Sequence, residues 1–348
     1  MTWLFGRILQ SIPLMWGLIS LLFVLFQVLG DPARMMAGQR SDLATLDAIR
    51  AEFRLDQPMW KQYMWYLNDL SPVGFQKNIV TSEASRANAS TPTYSFSIKR
   101  PHLGISFQTR RPVLDMITDK LPGTMALAFS AMGIAVIFGM AFGIIAAVYK
   151  DSVWDRGLSL ISMLGVSTPS FVAAVILIWI FVIILGDYTG LPLTGYWVED
   201  AVFGEGSIYH IGALVLPAIA LGVRPLSVIM QLTRSSMLEV AGQDYIRTAR
   251  AKGLRPLQVW LRHALPNAMN PVISAISGWF AALLAGVFFI EFMFDWQGLG
   301  RLTMEALQKS DYPVLSGCIL FVGFIFILMN MLTDVLYRLS DPRVQLES

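Results

Sequence analysis

The chain has 348 residues, 55% of them hydrophobic and only 14% charged, and its mean hydropathy is +0.57. That is more apolar surface than one water-soluble core can bury, so the composition points to a membrane protein. A net charge of +2 gives no electrostatic case for a nucleic-acid partner, and the lone cysteine, Cys318, excludes an intrachain disulfide and a cysteine-rich metal site.

Arg7 precedes an uncharged run from Ile8 to Leu29, longer than the apolar part of a signal peptide, which predicts an uncleaved first span within 1–30. Residues 31–120 are too polar to cross a bilayer. Within them "SDLATLDAIRAEF" sets Leu43, Leu46, Ile49 and Phe53 at helical spacing, and "LDQPMWKQYMWYL" predicts a second short helix opened by Asp56 and Pro58. Its Trp60, Tyr63, Trp65 and Tyr66 suit either an interfacial aromatic belt or the core of a small outer subdomain. The stretch "TSEASRANASTPTYS" is polar and low in complexity, and reads as a flexible loop.

Five more segments approach or exceed the roughly 20 apolar residues a crossing helix needs. They run from Leu121 to Tyr149, Gly157 to Gly186, Gly212 to Thr233, Pro271 to Phe294 and Pro313 to Leu336. The expectation is an all-α membrane protein: six transmembrane helices, an outer subdomain between the first two, a five-helix core over 121–340 and a tail at 341–348. Six spans put both termini on one side. Lys150 and Arg156, a cluster of cations between Arg234 and Arg262, and Arg338 and Arg343 all fall on that side, whereas 187–207 carries no cation and 295–311 carries Arg301 and Lys309. The positive-inside rule therefore makes both termini cytoplasmic.

The cationic loop, 234–270, is the most informative stretch. Asp244 to Lys252 favours helix, Gly253 is placed to end it in a left-handed cap, Pro256 can open a second short helix, and Pro266 and Pro271 mark the return to the membrane. Ile246, Ala249 and Gly253 form a narrow stripe between Arg247, Arg250 and Lys252. By residue chemistry alone, this is either a knob for a groove on another protein or a basic helix lying on anionic lipid.

The spacing of Ala249, Gly253, His263 and Leu265-Pro266 resembles the "EAA" loop of ABC-importer membrane subunits, without a gap. Arg247 stands where that pattern has Glu, Thr248 where it has the first Ala, and His263 where it has Ile. The text "TRSSMLEVAGQDYIRTARAKGL" is similar to the dipeptide, oligopeptide and nickel branch of these permeases. So are "GDPARMMAG", "LDQPMWKQY", "LGISF", "WQGLGRL", "SDYPVLSG" and "DPRV". Residues 71–101 look like an insertion relative to typical members.

The resemblance implies the transmembrane domain of a type I ABC importer in a bacterial inner membrane. It implies a peptide substrate, with nickel or another small solute as the alternative. The partners it implies are a second homologous permease, two ABC ATPase subunits and an extracytoplasmic substrate-binding protein, besides the lipid bilayer. Cofactors would be none on this chain, with ATP and Mg on the ATPases; consistent with this, no glycine here is followed by lysine as a phosphate-binding Walker loop requires. Asp244, Tyr245, Arg247, Thr248, Ala249, Arg250, Lys252, Gly253, Leu265 and Pro266 would form the ATPase-coupling loop.

Three ionisable residues near apolar segments are candidates for the pathway or its gate: Arg224, Glu291 and Asp295. Arg224 reads either as pathway lining or as a snorkelling cation, and Glu291 and Asp295 stand one turn apart as outer-gate or packing residues. Asp334 faces Arg338 at i, i+4 spacing, as in a structural ion pair. His102, His210 and His263 are scattered, with no metal-ligand spacing and no nucleophile motif, so the chain itself reads as no enzyme. An ion-coupled secondary transporter is disfavoured because the spans are nearly free of acids.

Overall fold

The computed structural model describes residues 2–28, 46–47, 50–51, 56–77, 94–195, 198–200, 207–209 and 211–340. Helices dominate: α1 (Thr2–Val28), α2 (Met59–Leu70), α3 (Val113–Val148), α4 (Val153–Ser167), α5 (Ser170–Ile178), α6 (Ile211–Ala241), α7 (Asp244–Ala251), α8 (Leu265–Gly286), α9 (Phe288–Met293), α10 (Leu299–Gln308) and α11 (Tyr312–Ser340). Among the described residues four stretches are long and apolar enough to cross a membrane: Gly6–Phe26, Val113–Val148, Ile211–Ala241 and Tyr312–Val335. A fifth is present if α4 and the stretch Ser170–Ile184 count as one span.

That pair occupies the segment expected as the third span, Gly157 to Gly186. Its two halves meet at a bend of 112°. The cause is Pro169, which has no amide hydrogen and pushes Thr168 out of the helical region, to φ −83° and ψ 122°. The expected span from Pro271 to Phe294 is also interrupted, since α8 stops at Gly286 and α9 starts afresh at Phe288.

The fold is not purely helical. An antiparallel hairpin, β1 (Val73–Lys77) with β2 (Tyr94–Ile98), pairs Phe75 with Phe96, and a smaller one pairs β3 (Val198–Asp200) with β4 (Ser207–Tyr209). Alternation of Val73 and Phe75, and of Tyr94, Phe96 and Ile98, is the two-residue period of a strand, which the polar text between them concealed. The polar stretch inside the first hairpin, 78–93, and most of the helix expected over 41–53 lie outside the described residues.

The chain divides into two units. The first comprises Met1–Arg7, Lys120–Met304 and Val322–Ser348. Its core is built where α3, α6 and α8 meet, with Leu127, Ala131 and Ala135 against Leu216, Leu221 and Ile229, and Val272 and Leu283 closing the other side. Apolar side chains gain little by leaving lipid for protein, so close backbone approach has to hold such helices together. Gly143 permits it: a Cβ there would lie 2.6 Å from the Thr233 Cβ and 2.7 Å from the Met230 carbonyl. Gly139 does the same against Leu226 and Ile229, whereas Gly133 has open space around it.

The second unit comprises Ile8–Asp119 and Glu305–Phe321. Here α2 packs on α1 through rings: Phe23 lies 5.1 Å from Tyr63 and 5.6 Å from Tyr66, and Ser20 Oγ is 2.6 Å from the Tyr63 hydroxyl. Trp60 on the same helix is exposed, so the aromatic set splits between a packed face and an open one. Asp311, buried just before α11, gathers the "LGISF" stretch: it accepts from Ser106 Oγ at 2.6 Å, Phe107 N–H at 3.1 Å and Gln108 N–H at 3.4 Å.

Candidate functional site

The loop between α6 and α8 folds as an elbow. α7 ends in two backbone bonds, Lys252 N–H to the Thr248 carbonyl at 3.1 Å and Gly253 N–H to the Arg250 carbonyl at 3.0 Å. Gly253 itself sits at φ +78°, a conformation that costs a residue with a Cβ about 1–2 kcal/mol. After it, Pro256–Gln258 opens a short turn that widens into a π-helical stretch, Val259–Ala264, before α8 begins. Pro266 explains the widening, because in α geometry its ring would press on the Arg262 carbonyl. Asn267 Nδ2 donates to the neighbouring His263 carbonyl at 2.7 Å.

Two residues of the expected stripe, Ile246 and Ala249, face inward, while Gly253 stays exposed. Ile246 and Ala249 are buried against Ala147, Met237, Val259, Ala264 and Ala268. α7 is thereby seated on the end of α3 and on both arms of the elbow, using its small side to approach closely. What it shows to solvent is Asp244, Tyr245, Arg247, Thr248, Arg250, Lys252 and Gly253. Arg247 and Asp244 form an exposed ion pair of 3.6 Å, which contributes little to stability. Leu265 is half-buried and Pro266 exposed.

Below the elbow lies a contact that the sequence reading missed. Arg234 on α6 grips Asp155 on α4 with two parallel bonds, Nε to Oδ1 at 2.5 Å and Nη2 to Oδ2 at 2.8 Å. Asp155 is buried, and it also accepts from the Asp151 amide at 2.9 Å while its own amide donates to Ser152 Oγ at 3.3 Å. The Ser152 hydroxyl thus caps α4 while the Asp155 carboxylate holds the Asp151 amide just before it, and the Ser-x-x-Asp spacing was the available signal. Its partner, 79 residues away, had none.

The three ionisable candidates have different surroundings. Glu291 is fully buried at the junction of α9 and α10, accepting from Thr124 Oγ1 at 2.7 Å, Gly300 N–H at 2.7 Å and Arg301 N–H at 3.2 Å. Gly298 gives it room, since a Cβ there would strike the carboxylate. Trp296 Nε1 bonds the Gly123 carbonyl at 2.9 Å, fixing the same turn to α3. Asp295 points outward at φ +54° and pairs with Arg301 at 2.9 Å, so the two acids share a turn but no site. Arg224 is exposed on α6, with its guanidinium carbon 5.7 Å from the Trp279 ring. Asp334 pairs with Arg7 at 3.2 Å, and the Arg338 side chain lies outside the described residues.

Family comparison agrees with this architecture. The description "Binding-protein-dependent transport system inner membrane component" matches residues 139–346, and the corresponding N-terminal family model matches 1–128. The dipeptide transport system permease protein of Escherichia coli is 37% identical over 352 residues, covering 96% of each chain. The glutathione transport system permease protein of the same species is 35% identical over 340 residues, covering 97% of each. Among solved structures, the methionine ABC transporter in inward-facing conformations aligns with a TM-score of 0.53 at 17% identity, over 66% of this chain and 97% of that one, a likeness of fold alone. The chain is a multi-pass inner-membrane permease subunit belonging to the binding-protein-dependent ABC importer family, within its dipeptide and oligopeptide branch.

Proposed function

We infer that the chain forms half of the translocation pathway of an importer for di- and oligopeptides, and that the elbow at 234–270 couples it to cytoplasmic ATPases. The observation that carries the coupling role is the seating of α7: its apolar side is bound into its own chain, and its polar side is left outward. A helix held this way transmits a push, because Ile246 and Ala249 connect it to α3, α6 and the start of α8 at once. In this reading Tyr245, Thr248, Arg250 and Lys252 meet the ATPase, while Ala249 acts from behind. ATP and Mg bind on the partners.

The complete assembly is this chain, a second homologous permease, two ATPases and an extracytoplasmic binding protein. The chain crosses six times with both termini cytoplasmic, the interrupted α8 and α9 segment supplying the sixth crossing. Peptide as the solute rests on relatives named for dipeptide and glutathione transport.

The test is purification of the tagged chain from its native membrane in mild detergent, with bound proteins identified by mass spectrometry. The expected result is recovery of an ATPase and a second permease. Gly253→Arg, which forces an unfavourable turn, and Tyr245→Asp, which changes the exposed face alone, should both lose the ATPase and keep the permease. Retention of the ATPase by both variants would remove the elbow from the coupling role.

A further inference from the structure

Arg224 lies ten residues before Arg234, so about 15 Å of helix separates it from the end of α6 that is anchored to Asp155. The start of α6 at Ile211 is about 20 Å away in the other direction. A guanidinium at that depth cannot be left to hydrocarbon. Among the described residues no acid answers it: Glu291 is enclosed by Thr124 and backbone amides, Asp334 is taken by Arg7, and Asp155 by Arg234.

The surface around Arg224 is polar along a line. On α6 the exposed residues toward the elbow are Arg224, Gln231, Ser235 and Glu239, spaced by seven, four and four, one face of a helix. Trp279, on α8 packed against α6, presents its ring to Arg224, so the guanidinium stands at the deep end of this line. Gly278, beside that ring, is exposed, and a Cβ there would meet nothing within 4 Å.

The geometry points to a carboxylate-binding station for the transported solute, made by Arg224 on the Trp279 face and opening toward the elbow along the polar wall of α6. Stacking on an indole leaves the edge of the guanidinium, with its paired N–H donors, free for a planar anion, and a carboxylate fits that fork with two parallel bonds. The solute class is therefore one bearing a free carboxylate, such as a peptide with an unblocked C-terminus. This deepens, and rests on, the importer reading above.

The test uses the whole importer in vesicles, with Cys318→Ala removing the native thiol and Gln231→Cys reporting from the wall. An anionic sulfonatoethyl methanethiosulfonate should label Cys-substituted position 231 severalfold faster than a cationic trimethylammonium reagent. That preference should vanish in Arg224→Gln and survive in Arg224→Lys. Equal rates, no labelling by either reagent, or a preference indifferent to Arg224→Gln would each overturn the station, the last as expected if a second permease neutralises Arg224. Dialanine should slow the labelling and dialanine amide should not. If the anion preference holds and neither compound protects, the station stands and peptide as the solute falls; if both protect equally, the carboxylate assignment falls.

Discussion

Arg234 illustrates how much one side chain can carry. Its two bonds to Asp155 join α6 to the capped start of α4 beside the elbow, and the Asp155 side chain is only 4% exposed. Removing Arg234 strands the buried Asp155 carboxylate, at up to about 3–5 kcal/mol and less to the extent that Arg234, 29% exposed, is screened by solvent. Arg234→Ala should therefore lower the unfolding midpoint of the detergent-solubilised protein clearly, while Arg234→Lys, which keeps the charge but not the paired donors, should fall between it and wild type. Equal midpoints for Arg234→Ala and wild type would mean that the pair is dispensable. Sequence alone exposed the Gly253 turn, because it is local, and the Ser152-x-x-Asp155 spacing could have exposed the cap for the same reason. Sequence did not expose the ion pair, nor the inward turn of Ile246 and Ala249, since Ala147, Met237 and Val259 come from elements that only folding brings near.

At the scale of elements, hydropathy located the apolar segments and missed how they are interrupted. Pro169 was visible in the sequence, but whether a proline bends a span gently or by 112° depends on what the two halves pack against. The first hairpin was missed for another reason: its strands are separated by a long polar insert, and alternation over five residues is a faint signal. The glycines of α3 stand in the sequence without any local mark of which of them packs against a neighbour. Gly143→Leu should drive a side chain into Thr233 and the Met230 carbonyl, costing about 1–3 kcal/mol or more. Gly133→Ala, with open space around it, should stay within about 0.5 kcal/mol of wild type. Thermal unfolding of both variants decides the matter, and similar losses in the two would refute the packing assigned to Gly143.

At the scale of the molecule, the polar side of α7 and the polar wall of α6 belong to one unit, so the proposed push on the elbow would act on the same body that holds Arg224. Accessibility fixes the direction of that push. Single cysteines at Thr248 and Lys252, in a Cys318→Ala background, should react with an impermeant maleimide in inside-out vesicles and stay unreacted in right-side-out ones. The opposite pattern would turn the whole topology over.

The ion pair between Arg7 and Asp334 carries one more consequence. It ties the beginning of the first helix to the far part of the last one, so the two lie at the same depth. A chain that leaves the bilayer on the face where it entered has crossed it an even number of times. The proposed topology of six crossings with both termini cytoplasmic keeps the pair together, whereas the four uninterrupted helices and the bent pair alone would part it. Any insertion or deletion that added or removed one crossing would have to break this salt bridge, carrying one end of the protein to the opposite side of the membrane.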